Sequence, residues 1–292
     1  MTRRGQALLA ALLPLLAVLT LFSGCGDDEE EQPGATTPAG TEGAAIDTSN
    51  VPELEDGKLI IGSDIAYAPI EYFEEGTNTP TGMDIDLATA MADLLGVEVE
   101  FQQVADFAGI VGDLKSKRYD IIMSAISITP EREAEIDFIP YFGPVGTGIL
   151  VKTGNPDNIQ KLEDLCGRKV AAQVGTYQVD QMTALNDGAC KTNPIDIQTF
   201  PDNPAAVQDL TLGRVVAELA DDPVAAYTAS QSEGGLVELV VTGFEAAPYG
   251  IGVRKDSTEL KRVLQQALDR IIANGSYRGI LTDWGQEQFA LQ

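Results

Sequence analysis

The residues best equipped for chemistry lie between Ser124 and Arg132, which read Ser-Ala-Ile-Ser-Ile-Thr-Pro-Glu-Arg. An apolar run, Tyr119-Asp120-Ile121-Ile122-Met123, precedes them and reads as a buried strand. Thr129 stands where a helix N-cap belongs and Pro130 at the first helical position, so a helix is predicted to start there. A strand end that feeds a helix N-terminus presents unpaired backbone N–H groups and a partial positive charge. Arg132, three residues past the cap, adds a planar fork of donors that suits a carboxylate. The stretch therefore reads as a site for a small anion. Plainer roles compete with this one. Ser127 and Thr129 can simply cap the helix, and Arg132 can pair weakly with Glu131 or Glu135 on its own helix.

The elements that would position this stretch alternate between strand and helix. Lys58 to Ser63 is a short strand, and Asp64-Ile65-Ala66-Tyr67-Ala68-Pro69 follows as a loop. Gly82-Met83-Asp84-Ile85-Asp86-Leu87 opens a helix whose Leu87, Met91, Leu94 and Leu95 recur at helical spacing, and Gly96 ends it. Asp84 and Asp86 read as helix-start acids. Val97 to Phe101 is a strand, Ile110 to Lys117 a helix and Gly146 to Val151 a further strand. The pattern restarts after Leu162: strands over Lys169 to Val174, Ile195 to Thr199 and Val215 to Leu219, with helices between them and from Pro223. Leu236 to Val241 and Tyr249 to Val253 read as two strands, and Thr258 to Ala273 as a long helix before a short one around Trp284. Such alternation predicts two α/β lobes with ligands at strand C-termini, the chain crossing between lobes near Gly146 to Lys152 and near Phe244 to Gly250.

Composition narrows the setting. Arg3 and Arg4 precede an apolar run from Ala7 to Phe22, too short for a comfortable membrane span and flanked like a secretory signal. Leu21-Phe22-Ser23-Gly24-Cys25 resembles a bacterial lipobox, with residues 1–24 as the signal and Cys25 as the lipidated residue. An ordinary secretory signal with a free Cys25 is the alternative. Asp27 to Ala45 is acidic and then rich in Pro, Gly, Thr and Ala, so residues 25–55 are taken as a disordered tether. The formal net charge of −26 argues against nucleic acid and for a monomer. The chain has no His, which excludes a His-based triad or zinc site. Cys166 and Cys190 form an even pair in an exported chain; a bridge would close a loop of about 25 residues and contribute roughly 3 kcal/mol, the alternative being two buried thiols. No metal or cofactor is expected.

Several motifs, in order, resemble a known family. They are Asp64 to Pro69, Gly82 to Leu87, Tyr119-Asp120 leading to Ser127-Ile128-Thr129-Pro130-Glu131-Arg132, Gly175-Thr176, Asp221-Asp222-Pro223-Val224, Tyr249-Gly250-Ile251 and Trp284-Gly285. From about Leu59 to Trp284 the chain is similar to the bacterial extracellular solute-binding proteins of family 3, the polar-amino-acid receptors of ABC importers, with the type II periplasmic-binding-protein fold. The resemblance implies lobe 1 over residues 56–146 and 246–292 and lobe 2 over residues 147–245, joined by two crossover strands. It implies a free amino acid as ligand, an ABC permease as membrane partner and a place outside the cell, lipid-anchored to the membrane. Arg132, with Ser127 and Thr176, would hold the carboxylate, and Asp221 the ammonium, with adjacent Asp222 as fallback. Tyr67 and Phe107 would sandwich the side chain and Asp64 would meet its far end, favouring basic or amide side chains. Ser124, Gln173 and Tyr177 would complete the pocket, and Ala125 would lend backbone only. The alternative core role of lone aromatics stands beside this. So do two other functions on the same fold: an exported cyclohexadienyl dehydratase, and a ligand-sensing surface lipoprotein. Val216 and Ile70 depart from the family's usual Asp and Phe.

Overall fold

The computed structural model describes residues 45–291. The signal, the Cys25 lipidation site and most of the tether fall outside the described residues. The tether itself ends sooner than residue 55, because Ile46, Val51 and Leu54 are buried in the main core. Their apolar side chains, spaced through an otherwise polar stretch, pack instead of staying in water.

In chain order the elements are β1 (Lys58–Ser63), β2 (Ala66–Tyr67), β3 (Glu71–Phe73), β4 (Pro80–Thr81), α1 (Met83–Leu95), β5 (Glu98–Gln103), α2 (Ile110–Lys115), β6 (Ile121–Ile122) and α3 (Pro130–Glu135). There follow β7 (Asp137–Lys152), β8 (Lys169–Gln173), α4 (Tyr177–Asp187), β9 (Asp196–Phe200), α5 (Asn203–Thr211), β10 (Ala217–Asp221) and α6 (Asp222–Gln231). The last are β11 (Val237–Val253), α7 (Thr258–Ala273) and α8 (Ser276–Asp283). Eight strands make one sheet in the order β5-β1-β6-β11-β7-β10-β8-β9, and β2-β3-β4 form a separate small meander. The strands β5, β1 and β6 run parallel in lobe 1, as do β10, β8 and β9 in lobe 2. This is the type II periplasmic-binding fold.

The two lobes share β7 and β11, which pair antiparallel from Asp137↔Val253 at one end to Lys152↔Val237 at the other. Where the sequence suggests one short strand and two separate ones, each crossover is a single long strand. Pro140, Gly143 and Pro144 look like breaks in the chain, yet the register merely shifts around them and the pairing resumes. At the crossing point a Cβ on Gly146 would sit 2.5 Å from the Gly243 Cα, so the strands approach more closely than any side chain permits. The strand expected over Tyr119 to Met123 is reduced to Ile121–Ile122.

Helix α7 docks by a stripe of buried Leu260, Val263, Leu264, Ala267, Leu268 and Ile271, at the spacing of one helical face. Gly96, in the left-handed region at φ 71°, ends α1 as expected. Cys166 and Cys190 are joined by a disulfide across 24 residues, and Cys190 belongs to the lobe 2 core with Ile149, Leu165 and Met182. Replacing both cysteines by serine is expected to lower stability in urea unfolding by about 3 kcal/mol, the loop-closure value. An unchanged midpoint would show that the loop is already pinned by that core.

Candidate functional site

The C-terminal ends of the parallel strands and the crossovers converge on a small cavity between the lobes. Its lining is Asp64, Tyr67, Glu71, Phe107, Ser124, Ala125, Ser127, Arg132, Gln173, Thr176, Tyr177, Gln178 and Asp221. All eleven residues singled out from the sequence are thus brought to one place. Glu71 and Gln178 were not foreseen. Glu71 stands on β3, two residues past Pro69, and the one hint was an acid inside an otherwise apolar Ile-Glu-Tyr-Phe run. Gln178 lies in the first turn of α4, where its reach into the cavity has no sequence signal.

The stretch from Ser124 to Arg132 is shaped by partners far away in the chain. Ala125 adopts φ 45°, unfavourable for a residue with a Cβ, and its N–H donates to Asp84 Oδ2 at 3.0 Å. The Tyr141 hydroxyl donates to the same carboxylate at 2.7 Å. Asp84 does start a helix, but its side chain is fully buried and fixes the site's backbone. Ile128 N–H donates to the Pro248 carbonyl at 2.9 Å, and Gly250 N–H to the Ile126 carbonyl at 3.1 Å, stitching the stretch to β11. The Thr129 hydroxyl accepts from Arg132 N–H at 3.3 Å and caps α3.

Arg132 stays clear of Glu131 and Glu135; Glu135 pairs with Lys115 instead. Its Nη1 donates to the Ser127 carbonyl at 2.7 Å and its Nη2 to the Gly175 carbonyl at 3.0 Å. Two of its five N–H donors are thereby engaged and the fork is held at the cavity wall. The guanidinium carbon lies 5.8 Å from the Phe107 ring centroid, so Phe107 supports the arginine as well as lining the cavity. Thr176 precedes α4, whose first N–H groups are a further anion site, but its hydroxyl donates to the Gln173 carbonyl at 2.8 Å. What it has left to offer the cavity is its amide and the helix end.

Opposite Arg132 stands Asp221. Its Oδ2 accepts from the Tyr249 hydroxyl at 2.8 Å and the Tyr67 hydroxyl at 3.2 Å, and its Oδ1 from Gln178 Nε2 at 2.8 Å. Asp222 points elsewhere: both its oxygens accept from Gly243 N–H at the crossover. Asp221, not Asp222, is therefore the acid at the cavity. Asp64 accepts from Gln103 Nε2 at 2.9 Å and from Gln173 Nε2. Glu71 Oε1 accepts from the Ser124 hydroxyl at 2.9 Å, while Oε2 is buried with no partner, the residue being 1 % exposed. The lobes are closed on each other. Tyr67 with Asp221, Gln173 with Asp64 and Arg132 with Gly175 all bridge them, and a Gly175 Cβ would lie 2.5 Å from the Ala108 Cα.

A profile of the bacterial extracellular solute-binding proteins, family 3, matches residues 59–287. The chain belongs to that family. It is 33% identical over 231 residues to the arginine-binding extracellular protein ArtP of Bacillus subtilis, covering 78% of this chain and 86% of that one. It is 28% identical over 232 residues to the L-cystine-binding protein TcyJ of Escherichia coli K12, covering 79% and 83%. Among solved structures, an ancestral arginine-binding protein bound to arginine superimposes with a TM-score of 0.73 at 36% identity, over 78% of this chain and 98% of that one.

Burial dominates the electrostatics of these acids. It raises Asp221 to about 6 despite its hydrogen bonds from Tyr249, Gln178 and Tyr67. It raises Asp84 to about 7 and pushes Glu71 well above the carboxylate range, with nearby Asp84 adding to the latter. Glu218, on β10 with no partner for either oxygen, rises to about 8. Burial lowers Arg132. For an acid raised in the folded state, the unfolded chain ionises first as pH increases, so stability falls between the unfolded and folded values. Stability of the ligand-free protein in urea is therefore expected to fall from about pH 4 to about pH 8. The surface acids lowered by lysines, such as Glu100 with Lys58 and Asp137 with Lys261, act only below that window. A stability that rose across it would contradict this charge distribution.

Proposed function

We propose that the protein captures a free amino acid with a basic or amide side chain, a basic one above all, outside the cell and delivers it to an ABC importer permease. In this reading the two lobes close over the ligand, and a lipid on Cys25 holds the protein at the outer face of the cell membrane. The signal-like run and the lipobox-like Leu21 to Cys25 support the anchor. No helix among the described residues is long and apolar enough to cross a membrane.

One observation carries the ligand class: three acids, Asp64, Glu71 and Asp221, line the cavity against a single Arg132. A zwitterion matches Arg132 with its carboxylate and Asp221 with its ammonium. Asp64 and the unpartnered oxygen of Glu71 remain, and a guanidinium or ammonium at the side-chain end satisfies them. An amide satisfies only the hydrogen bonds. The arginine-binding relatives support the same class.

The test is a thermal-shift screen of the full chain against the natural amino acids, followed by calorimetry. L-arginine or L-lysine is expected to bind at micromolar strength or better, about −8 kcal/mol, and to raise the melting temperature most. Arg132→Ala is expected to weaken it at least ~100-fold by removing charge-assisted bonds to the carboxylate. If no amino acid shifts the melting temperature, the reading is wrong. Turnover of arogenate or prephenate on the same samples would replace it with the dehydratase reading.

A further inference from the structure

The lobes also meet through aromatic rings outside the cavity. Tyr227 on α6 of lobe 2 lies against Tyr72 on β3 of lobe 1, ring centroids 6.4 Å apart. Tyr72 in turn meets the Trp284 indole edge-on, at 6.2 Å and 88°. The indole N–H donates to Asp86 Oδ2 at 2.7 Å, which ties the ring to the first turn of α1. None of the three rings lines the ligand cavity. Each is only partly buried, so none is a keystone of either core. Tyr227 instead borders two clefts between the lobes, one shared with Pro69 and Trp284 and the other with Ala66 and Ala68.

Tyr227 rides on the same helix as the cavity's acid: Asp221 is the N-cap of α6 and Tyr227 sits about one and a half turns along it. Any rotation that carries Asp221 away from Tyr67 also moves Tyr227 relative to Tyr72. We propose that Tyr227 is a positioning residue for capture, clasping Tyr72 and Trp284 so as to bias the lobes toward the closed arrangement. The clasp touches no ligand, so it sets affinity by the same factor for every amino acid the cavity accepts. This rests on the closing-lobe reading above.

Tyr227→Ala in the full chain tests it, with Tyr227→Phe keeping the ring. For Tyr227→Ala, L-arginine and L-glutamine are both expected to bind roughly 2- to 10-fold more weakly, the range of one aromatic pair, and to dissociate faster. Tyr227→Phe is expected to bind like the parent. Trp284 is the protein's one tryptophan, so its emission is expected to change when L-arginine binds the parent. Small-angle scattering without ligand is expected to give a larger radius of gyration for Tyr227→Ala than for the parent. Unchanged affinity, or a loss confined to one of the two amino acids, would overturn the proposal. Should the parent bind no amino acid, the binding reading itself fails, and the scattering alone decides: an equal radius overturns the clasp and a larger one upholds it.

Discussion

Charge balance inside a closed cleft is the constraint on which the rest of this structure depends. Three carboxyl groups are buried where little water reaches them, and one half-buried guanidinium stands at the cavity wall. Burying an unpaired charge costs several kcal/mol, so each group must be protonated, hydrogen-bonded or matched by an incoming partner. Asp221 is hydrogen-bonded threefold, Asp64 twofold, and Glu71 is left with a bare oxygen. In the proposed reading that imbalance sets the ligand preference: a ligand with two cationic ends and one anionic end halves the cavity's excess of negative charge, and a ligand without the second cation leaves it unchanged.

The scaffold serves this constraint at a cost to itself. Asp84 is buried in order to hold Ala125 in a left-handed conformation, which carries the backbone of the Ser124 to Ser127 stretch into the cavity. The long β7 and β11 strands make two lobes into one sheet and approach each other most closely at Gly146 and Gly243, so the lobes are coupled through shared strands. Gly175 lets lobe 2 approach Ala108 of lobe 1 backbone to backbone and close the cavity mouth beside Arg132.

Much of this was legible in the sequence because it is local. The Thr129 cap, Pro130 and Arg132 announce a helix start with a guanidinium beside it, and that is what α3 is. The full extent of α7 follows from its apolar spacing. What was not legible is set by contacts distant in sequence. Glu71 becomes a cavity residue only because the β2-β3-β4 meander folds it beneath Ser124, 53 residues on. Gln178 reaches Asp221 across 43 residues, and Asp84 reaches Ala125 across 41. The full length of β7 was hidden because Pro140, Gly143 and Pro144 carry the local signature of a turn, which pairing with β11 overrides. Thr176, an apt hydroxyl by type, turns out to spend it on its own backbone turn.

The central claim is that ionised acids in the cleft meet a cationic amino acid, and proton counting tests it most directly. Burial raises Asp221 to about 6 and pushes Glu71 well above the usual carboxylate range in the ligand-free cleft. A bound ammonium or guanidinium favours their charged forms and must expel protons. Titration calorimetry of L-arginine at pH 6, in two buffers of different ionisation enthalpy, measures the number released. Net release is expected, shrinking in the Glu71→Gln protein. Binding with no proton exchange, or with uptake, would contradict it.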